Sequence, residues 1–260
     1  MTFILIFLLI VILERVSFAP LRFSFSLREH LWLDTSYVFW IQGLNYAKDF
    51  LILYLFTTKA LPWEPRRDMN PVLAVVLVMV VQDFIRFYVH KKMHDFNLSW
   101  RFHKVHHSLV HLDAVASARR HIFDLLAYQP LFLLSTYFFI VVLRMELSYF
   151  VIATLVGAIV GGPFAHADLK FPDHWWVRAL RWIIFLPDEH RLHHMDLYAQ
   201  SNFGNTFTIF DRLWGTYQPV KNSVERPFGL GEEFPQTLVA QQLSPFRKMK
   251  PGVKFTNQAG

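Results

Sequence analysis

The amino-acid sequence predicts an all-α fold: an integral membrane helical bundle of about four to five membrane helices with a cytoplasmic helical cap. Three observations lead to this prediction. Of the 260 residues, 53% are hydrophobic and only 18% are charged, whereas soluble domains carry ~25% charged residues. Long apolar runs alternate with short charged or proline-rich segments. Most of the 13 histidines fall into tight groups outside those runs.

Two apolar segments precede the histidine groups and predict N-terminal membrane helices within residues 1–70. Residues 3–13 are wholly apolar, although this run alone is short for a membrane span. Residues 37–61 are apolar and aromatic. The proline-rich and charged stretch 62–71 should then end helical structure.

Three further apolar runs predict the membrane helices of the central region. The run 72–89 leads directly into the first histidine group. The runs 125–143 and 147–165 are separated by only three residues, which predicts an antiparallel hairpin with both ends on the same side of the membrane. Such a hairpin would return His166 to the other histidines.

The last part of the chain is predicted to lie on the membrane surface and beyond it. Residues 173–187 carry three Trp and two Arg on a short apolar segment, which is typical of a helix lying among lipid headgroups. The polar residues 218–260, which contain several prolines, are expected to form a C-terminal cytoplasmic tail.

The histidines form a repeated pattern that indicates metal binding. The spacing His-x-x-x-His is followed by His-x-x-His-His, and the second pattern occurs again about 90 residues later, although composition alone would produce it only ~0.03 times. Because helix residues three and four apart share a face, each group should direct its imidazoles to one point. The eight histidines are His90, His94, His103, His106, His107, His190, His193 and His194.

Eight imidazoles are more than one structural zinc ion requires, since such a site closes with four ligands. The cap is therefore predicted to hold a histidine-rich di-metal site. Imidazole suits iron, zinc, copper and nickel, so the ligands alone do not identify the metal. Asp83 lies seven residues before His90 on the same helical face. It could orient a ligand histidine or pair with Arg86 inside the bundle.

Charge indicates the partner surface and the orientation. The formal net charge is +6, but the basic residues are scattered among apolar runs, which favours anionic headgroups over nucleic acid. Seven Lys or Arg residues lie between Arg86 and Arg120, so the positive-inside rule places the histidines on the cytoplasmic side. The basic trio Lys59, Arg66 and Arg67 falls on the opposite side and opposes this assignment.

Several motifs between Val81 and Tyr217 together resemble the fatty-acid hydroxylase/sterol desaturase superfamily of membrane-bound histidine-box oxygenases. The motifs are Asp83 followed by HKKMH, then WRFHKVHHS, FAHAD, DEHRLHHMD and SNFGNTFTIFDRLWGTY. The resemblance implies that residues 71–217 form a catalytic domain that uses O2 and two electrons to hydroxylate or desaturate a lipid. It implies two iron ions as cofactors, with zinc able to replace them in purified protein.

The resemblance also assigns roles to individual residues. The eight histidines match the three histidine boxes of the family, and His166 matches an additional histidine. His121 is a further candidate, but Ile122 and Asp124 replace the proline and glutamate that follow this histidine in the family. Asn202 resembles the asparagine after the third box, where it would either hydrogen-bond a ligand histidine or cap a turn.

The source of electrons is expected to be a separate protein. The chain has no Gly-rich dinucleotide fingerprint and no cysteine that could hold an iron–sulfur cluster. A ferredoxin, a cytochrome b5 or a reductase would therefore bind at the basic cytoplasmic face.

Three alternatives to a hydroxylase remain at this level. A desaturase would share the same metal site and differ only in the fate of the substrate. A membrane metal-binding or transport protein would need no redox chemistry, but it would need polar residues along a path across the bilayer. A metal-dependent hydrolase would need a general base, and Glu189 is the acidic candidate within a histidine box.

Overall fold

The computed structural model of the protein describes residues 32–41, 43, 44, 47, 51, 54, 64–66, 68–195, 199–220, 228–230 and 234–247. Within these ranges the chain is helical, with loops and two isolated β-bridges but no β-strand. The predicted segment 3–13 and most of the segment 37–61 lie outside the described residues.

The first long helix, α1, runs from Pro71 to Asp95 and carries the start of the histidine region. Its beginning is fixed by Asn70, whose side-chain oxygen accepts hydrogen bonds from the backbone N–H groups of Val72 and Leu73. Proline at the first helical position suits this start, since its missing N–H would have no partner there. Residues 32–41 are also helical, and the α-helices that follow α1 in the described part are α2 (Asn97–His107), α3 (Ile122–Tyr137), α4 (Leu147–Ile159), α5 (Trp175–Leu180), α6 (Pro187–His193), α7 (Ile209–Trp214) and α8 (Leu238–Leu243).

Three helices of the described part are long and apolar enough to cross a membrane. They span 25, 21 and 18 residues, because α3 and α4 each continue through one π-helical turn, at Phe138–Val142 and Val160–Phe164. At about 1.5 Å per residue these lengths match the hydrocarbon core of a bilayer, ~30 Å thick. The predicted bundle of four to five membrane helices is thus represented by three spans among the described residues.

The sequence-predicted hairpin is present as α3 and α4. The two helices are joined by a tight turn at Arg144, whose φ of 55° lies in the left-handed region. The backbone N–H of Arg66 donates to the Arg144 carbonyl at 2.7 Å, so the loop before α1 lies at the same end of the bundle. The histidines therefore gather at the opposite end, where α1 ends and α3 begins.

α4 packs closely on α1 and on the loop near Asn205. Thr154 of α4 accepts a hydrogen bond from the Gln82 amide of α1 at 2.9 Å. One helical turn further along α4, Gly157 faces the guanidinium of Arg86. A Cβ atom built on Gly161 would lie 2.7 Å from the Cβ of Asn205, so only glycine fits there without a shift. Small side chains thus bring the end of α4 to the histidine region.

The helical residues 32–41 and the segment 234–247 pack together on the loop before α3. Asp34 forms a buried ion pair with Arg119, with nitrogen–oxygen distances of 2.6 and 2.7 Å. Gln242 of α8 accepts at its side-chain oxygen from the N–H of Ile122 and donates to the Tyr37 hydroxyl. Both outer segments therefore support the start of α3.

The predicted interfacial helix over residues 173–187 is shorter than expected. α5 is a helix of six residues that ends at Leu180. The chain then turns, because Ile184 forms a β-bridge with Phe207 and the N–H of Phe185 donates to the Thr206 carbonyl. The exposed Trp175 and Trp182, at 75% and 67% exposure, still give this region an apolar surface.

Candidate metal centre

Nine buried histidines form two groups beside one another at the end of the bundle. Within each group, one ring nitrogen from every member lies within 4.8 Å of the others. The first group contains His90, His94, His103, His107 and His193, and the second contains His106, His166, His190 and His194.

Each His-x-x-His-His motif is divided between the two groups, whereas the sequence predicted that each motif would point to one place. In α2 the pair four residues apart, His103 and His107, joins the first group, and His106 joins the second. In α6 the assignment is reversed, since His193 alone joins the first group. Neighbouring helix positions point about 100° apart, so a helix lying between two sites serves both.

Backbone carbonyls orient four of these imidazoles. The Nδ1 atom of His90 lies 2.8 Å from the Phe203 carbonyl, and that of His193 lies 2.7 Å from the Ser201 carbonyl. His106 and His166 have the same kind of contact, with the carbonyls of Arg119 at 3.0 Å and Gly162 at 2.8 Å. A carbonyl only accepts, so Nδ1 must carry the hydrogen and Nε2 must carry the lone pair.

These tautomers leave Nε2 lone pairs facing one another. The Nε2 atoms of His106 and His166 are 3.2 Å apart, and both rings have their hydrogen on Nδ1. The Nε2 atom of His190 is 3.2 Å from that of His166 and 3.3 Å from that of His194. Four nitrogens that surround one ion at about 2.0–2.1 Å are separated by roughly 3.3 Å, so this spacing fits a shared metal ion.

The first group likewise has ring nitrogens that are free to bind a cation. The Nε2 atoms of His90, His103, His107 and His193 are buried and have no hydrogen-bond partner in the described structure. Unpaired buried nitrogens are costly, and several of them converging on one place are explained by a bound metal ion. Both groups therefore fit metal ions, and histidine is the ligand type that the described residues bring to them.

Burial favours the neutral form of six of these imidazoles, which is the form that binds metal. It lowers the pKa of His166 and of His193 to about 3, because the imidazolium form loses its hydration. Burial is also the largest cause of the lowered pKa of His106, His107, His190 and His194. A neutral imidazole can bind an ion without first releasing a proton.

Asp83 was predicted to orient a histidine or to pair with Arg86; its hydrogen bonds go to backbone groups, and its charge interacts with that of Arg86. Its two oxygens accept hydrogen bonds from the N–H groups of Thr206 and Phe207, each at 2.9 Å. These bonds hold the loop after the third histidine motif against α1. Asp83 therefore acts on the centre through that loop.

Asn202 was predicted either to hydrogen-bond a ligand histidine or to cap a turn, and the structure shows a third arrangement. Its amide nitrogen donates to the carbonyls of Glu189 and Gln218, and its oxygen accepts from the N–H of Gln218. Its φ of 54° turns the chain so that the carbonyls on either side reach two ligand candidates. Asn202 thus supports α6 and shapes the loop that orients His90 and His193.

His121, the further candidate from the sequence, belongs to neither group. Its Nδ1 accepts from the N–H of Phe123, and its Nε2 lies 2.8 Å from the Gln242 carbonyl. Both ring nitrogens are therefore used, and the side chain caps the start of α3. Burial lowers the pKa of His121, consistent with a neutral ring in this position.

Two acidic residues near the centre were missed as functional candidates. Asp124 was noted only as a departure from the family motif, yet its Oδ2 lies 2.9 Å from Nδ1 of the buried His103. Asp211 accepts from the N–H groups of Phe203 and Gly204 and so fixes the loop that orients His90. Asp124 could have been noticed as an isolated acid at the start of an apolar run. Asp211 could have been noticed because it lies within the last of the family motifs.

Glu189, the base that a hydrolase would require, faces away from both histidine groups. Its carboxylate accepts hydrogen bonds from the N–H of Leu186 and from the Tyr217 hydroxyl. The Arg181 guanidinium lies 3.5 Å away on the same side. Burial raises the pKa of Glu189, and its contacts give it a structural role at the start of α6.

Fold and site together define a membrane protein with a buried centre of two all-histidine groups suited to two metal ions. The fatty acid hydroxylase family model matches residues 75–216, which is more than half of the chain and includes all nine histidines. The chain belongs to this family, and the resemblance seen in the sequence is confirmed.

Three curated relatives are named as hydroxylases or monooxygenases. The chain is 27% identical over 181 residues to an ornithine lipid hydroxylase of Rhizobium tropici, which covers 67% of this chain and 50% of that protein. It is 28% identical over 151 residues to an alkylglycerol monooxygenase of Xenopus tropicalis, covering 55% of this chain and 30% of that protein. A fatty acid hydroxylase of a Lecanicillium species is 27% identical over 157 residues, covering 55% and 42%.

The chain therefore spans half or less of the length of these relatives. No solved structure matches it.

Proposed function

We propose that the protein is a membrane-bound hydroxylase that inserts one oxygen atom of O2 into a C–H bond of a lipid. In this proposal the first histidine group holds one iron ion and the second holds another. When bound, the two ions would supply the activation of O2 that attack on an unactivated C–H bond requires. The family and the names of its curated relatives support hydroxylation over desaturation.

The observation that carries the proposal is the convergence of unprotonated Nε2 atoms. His106 and His166 direct lone pairs at each other across 3.2 Å, an arrangement that only a cation between or beside them makes favourable. Four or five neutral ligands per ion leave positions free for other ligands in a six-coordinate iron. A structural zinc site would instead be closed by four ligands.

The chain's own residues would bind the two ions, orient the imidazoles and keep water away from the centre. Carbonyls of the loop 201–203 and of the end of α4 hold the imidazoles in one tautomer. Asp124 accepts from His103 and increases its basicity as a ligand. The spans α1, α3 and α4 surround the membrane side of the centre with apolar side chains, so that a lipid can approach from the bilayer with little water present.

We also propose that the histidine end of the bundle faces the cytoplasm and that a separate protein supplies the electrons. Basic side chains such as Lys92, with 42% side-chain exposure, and the exposed Arg101 lie beside the first histidine group. Positive residues at this end favour the cytoplasmic side, and they suit an acidic ferredoxin, cytochrome b5 or reductase. The electron donor would approach this face, opposite to the hairpin turn at Arg144.

The test begins with iron content and continues with the product. Protein purified from iron-supplemented cells should hold about two iron ions per chain. His107→Ala in the first group and His166→Ala in the second should each remove about one ion, because the ion at the altered group would lose one of its few ligands. With a reducing partner and 18O2, the wild-type protein should release a lipid that has gained one labelled oxygen.

His174 offers the matched control, because it is exposed and lies in neither group. His174→Ala should retain both ions and full activity. Iron content that stays the same in His107→Ala and His166→Ala would overturn the assignment of the two sites. A product that has lost two hydrogens without gaining oxygen would identify a desaturase.

A further inference from the structure

Residues 119–124 contact one candidate ligand in each histidine group. The Arg119 carbonyl lies 3.0 Å from Nδ1 of His106, which belongs to the second group. At the other end of this short segment, Oδ2 of Asp124 lies 2.9 Å from Nδ1 of His103, which belongs to the first group. Because such partners fix the orientation of an imidazole, a shift of the segment would disturb both groups at once.

Gln242 of α8 holds this segment by three hydrogen bonds. Its side-chain oxygen accepts from the N–H of Ile122 at 3.0 Å, and its side-chain nitrogen donates to the Arg120 carbonyl at 3.0 Å. Its backbone carbonyl lies 2.8 Å from Nε2 of His121. Nδ1 of that ring accepts from the N–H of Phe123, so Nε2 carries the hydrogen and donates. Gln242 thus contacts three successive residues of the segment.

Two of these contacts fix the start of α3. The first N–H groups of a helix have no partner within the helix, and α3 begins at Ile122. Gln242 accepts from the N–H of Ile122, and His121 accepts from that of Phe123 while it is held by the Gln242 carbonyl. Asp124 lies in this first turn. The position of its carboxylate therefore depends on the contacts of Gln242.

Gln242 is itself held in place by the packing around it. Its amide also donates to the Tyr37 hydroxyl at 3.1 Å, and Tyr37 belongs to the same buried cluster as Val105 of α2. Four residues after Gln242, the ring centre of Phe246 lies 5.8 Å from that of Phe102, which is also on α2. Since α2 carries three of the candidate ligands, Gln242 connects residues 119–124 to the helix whose histidines they orient.

We propose that Gln242 is a positioning residue of the metal centre and acts on both histidine groups through residues 119–124. It lies outside residues 75–216, the part of the chain that the family model matches. The centre would therefore depend on a segment beyond the matched region. This inference rests on the two metal ions of the proposed function and adds a residue that keeps their ligands in position.

Cobalt(II) binding to the full-length protein tests the proposal without any need for turnover. Iron-free protein in neutral detergent would be titrated with cobalt(II) against a competing chelator. The visible absorption bands of cobalt(II) depend on the arrangement of its ligands, whereas their amplitude follows the amount of folded, loaded protein. The wild-type protein should bind about two cobalt ions per chain, as expected for two sites that suit divalent metals.

Gln242→Met keeps a side chain of similar length and removes its hydrogen bonds. It should weaken cobalt binding about tenfold at both groups, the lower end of the range for loss of a direct partner of a ligand. The absorption bands should also move at saturating cobalt, because the imidazoles of His103 and His106 are no longer held in one orientation. Asp124→Ala should weaken the first group alone, so a loss at both groups is specific to Gln242.

Gln236→Met is the matched control, because Gln236 is an exposed residue of the same segment whose amide donates to the Phe234 carbonyl. It should keep the affinity and the bands of the wild-type protein. Gln242→Glu retains an acceptor for the N–H of Ile122 but lacks the donor for the Arg120 carbonyl. It should move the bands in the same direction to a smaller extent.

Unchanged affinity and unchanged bands in Gln242→Met would overturn the inference. A lower amplitude with unchanged bands would also overturn it, because that result assigns Gln242 to stability alone. If Gln242→Met fails to fold, Gln242→Glu decides by the same two measurements. A wild-type protein that binds no cobalt would contradict the metal assignment itself, whereas two bound ions that do not respond to Gln242 would contradict this inference only.

Discussion

Among the described residues, Asp124 is the carboxylate that contacts a candidate ligand. Its Oδ2 accepts from Nδ1 of His103, which fixes the ring orientation and makes Nε2 a better donor to a metal. The other oriented imidazoles rely on backbone carbonyls, which no substitution of their own residue removes.

Asp124→Ala should therefore weaken metal binding at the first group by about 10–100-fold, the range typical for loss of such a partner. Asp124→Asn should have a smaller effect, because its amide oxygen still accepts a hydrogen bond. Competition with a chelator would measure both affinities, with Asp173→Asn as a control at a position with 60% side-chain exposure. Wild-type affinity in Asp124→Ala would contradict this role.

Sequence reasoning at this scale found the nine histidines but not what holds them. Spacing and the resemblance were enough to select His166 as well as the eight histidines of the boxes. The carbonyls of Ser201 and Phe203 carry no signal in their residue types, since every residue has a carbonyl. Their direction depends on the left-handed conformation of Asn202, which only the folded loop shows.

The end of helix α4 sets the position of one ligand candidate, His166. The helix passes through a π-helical turn at Val160–Phe164, and the Gly162 carbonyl accepts from His166. π-Helical turns are frequent at functional sites, where they redirect a side chain. Gly161 in the same turn lies directly against Asn205.

Two neighbouring glycines allow a matched test of this packing. Gly161→Ala should destabilise the protein by about 1–3 kcal/mol and reduce iron at the second group, because the added methyl group collides with Asn205. Gly162→Ala should be tolerated, since nothing beyond its chain neighbours and its own helix backbone lies within 4 Å of its Cβ position. Thermal unfolding and iron content would be compared for both variants. Equal behaviour of the two would show that the close contact has no energetic effect.

Long apolar runs predicted helices correctly, whereas the short segment 173–187 did not predict the full length of its helix. The runs 125–143 and 147–165 predicted the α3–α4 hairpin because each is long enough to cross a bilayer. The helix expected over 173–187 ended early because pairing with Phe207 and Thr206 competes with helical structure. That pairing joins positions more than twenty residues apart, so local composition does not reveal it.

The molecule as a whole has two distinct ends, one with the histidines and one with the hairpin turn. Contacts between distant parts of the chain stabilise the histidine end, such as the ion pair between Asp34 and Arg119. Sequence spacing gave no indication of this pair, since many acids and bases could have met. The orientation of the two ends in the membrane was predicted from charge alone.

The absence of cysteine from the sequence makes this orientation measurable with single introduced thiols. Arg101→Cys lies at the histidine end and Asp68→Cys at the hairpin end, both at exposed positions. A membrane-impermeant maleimide should label the Asp68→Cys variant in intact cells and the Arg101→Cys variant only after permeabilisation, because the positive-inside rule assigns the basic end to the cytoplasm. The reverse pattern would place the histidines outside, and the parent protein supplies a background without thiols.

The division of the histidines between two groups also has a consequence for biosynthesis. A nascent chain that has reached residue 180 already contains four of the five members of the first group but only two of the four of the second. The order of synthesis therefore supplies most candidate ligands of the first group before those of the second. The residues 190–194 are made last and complete both groups.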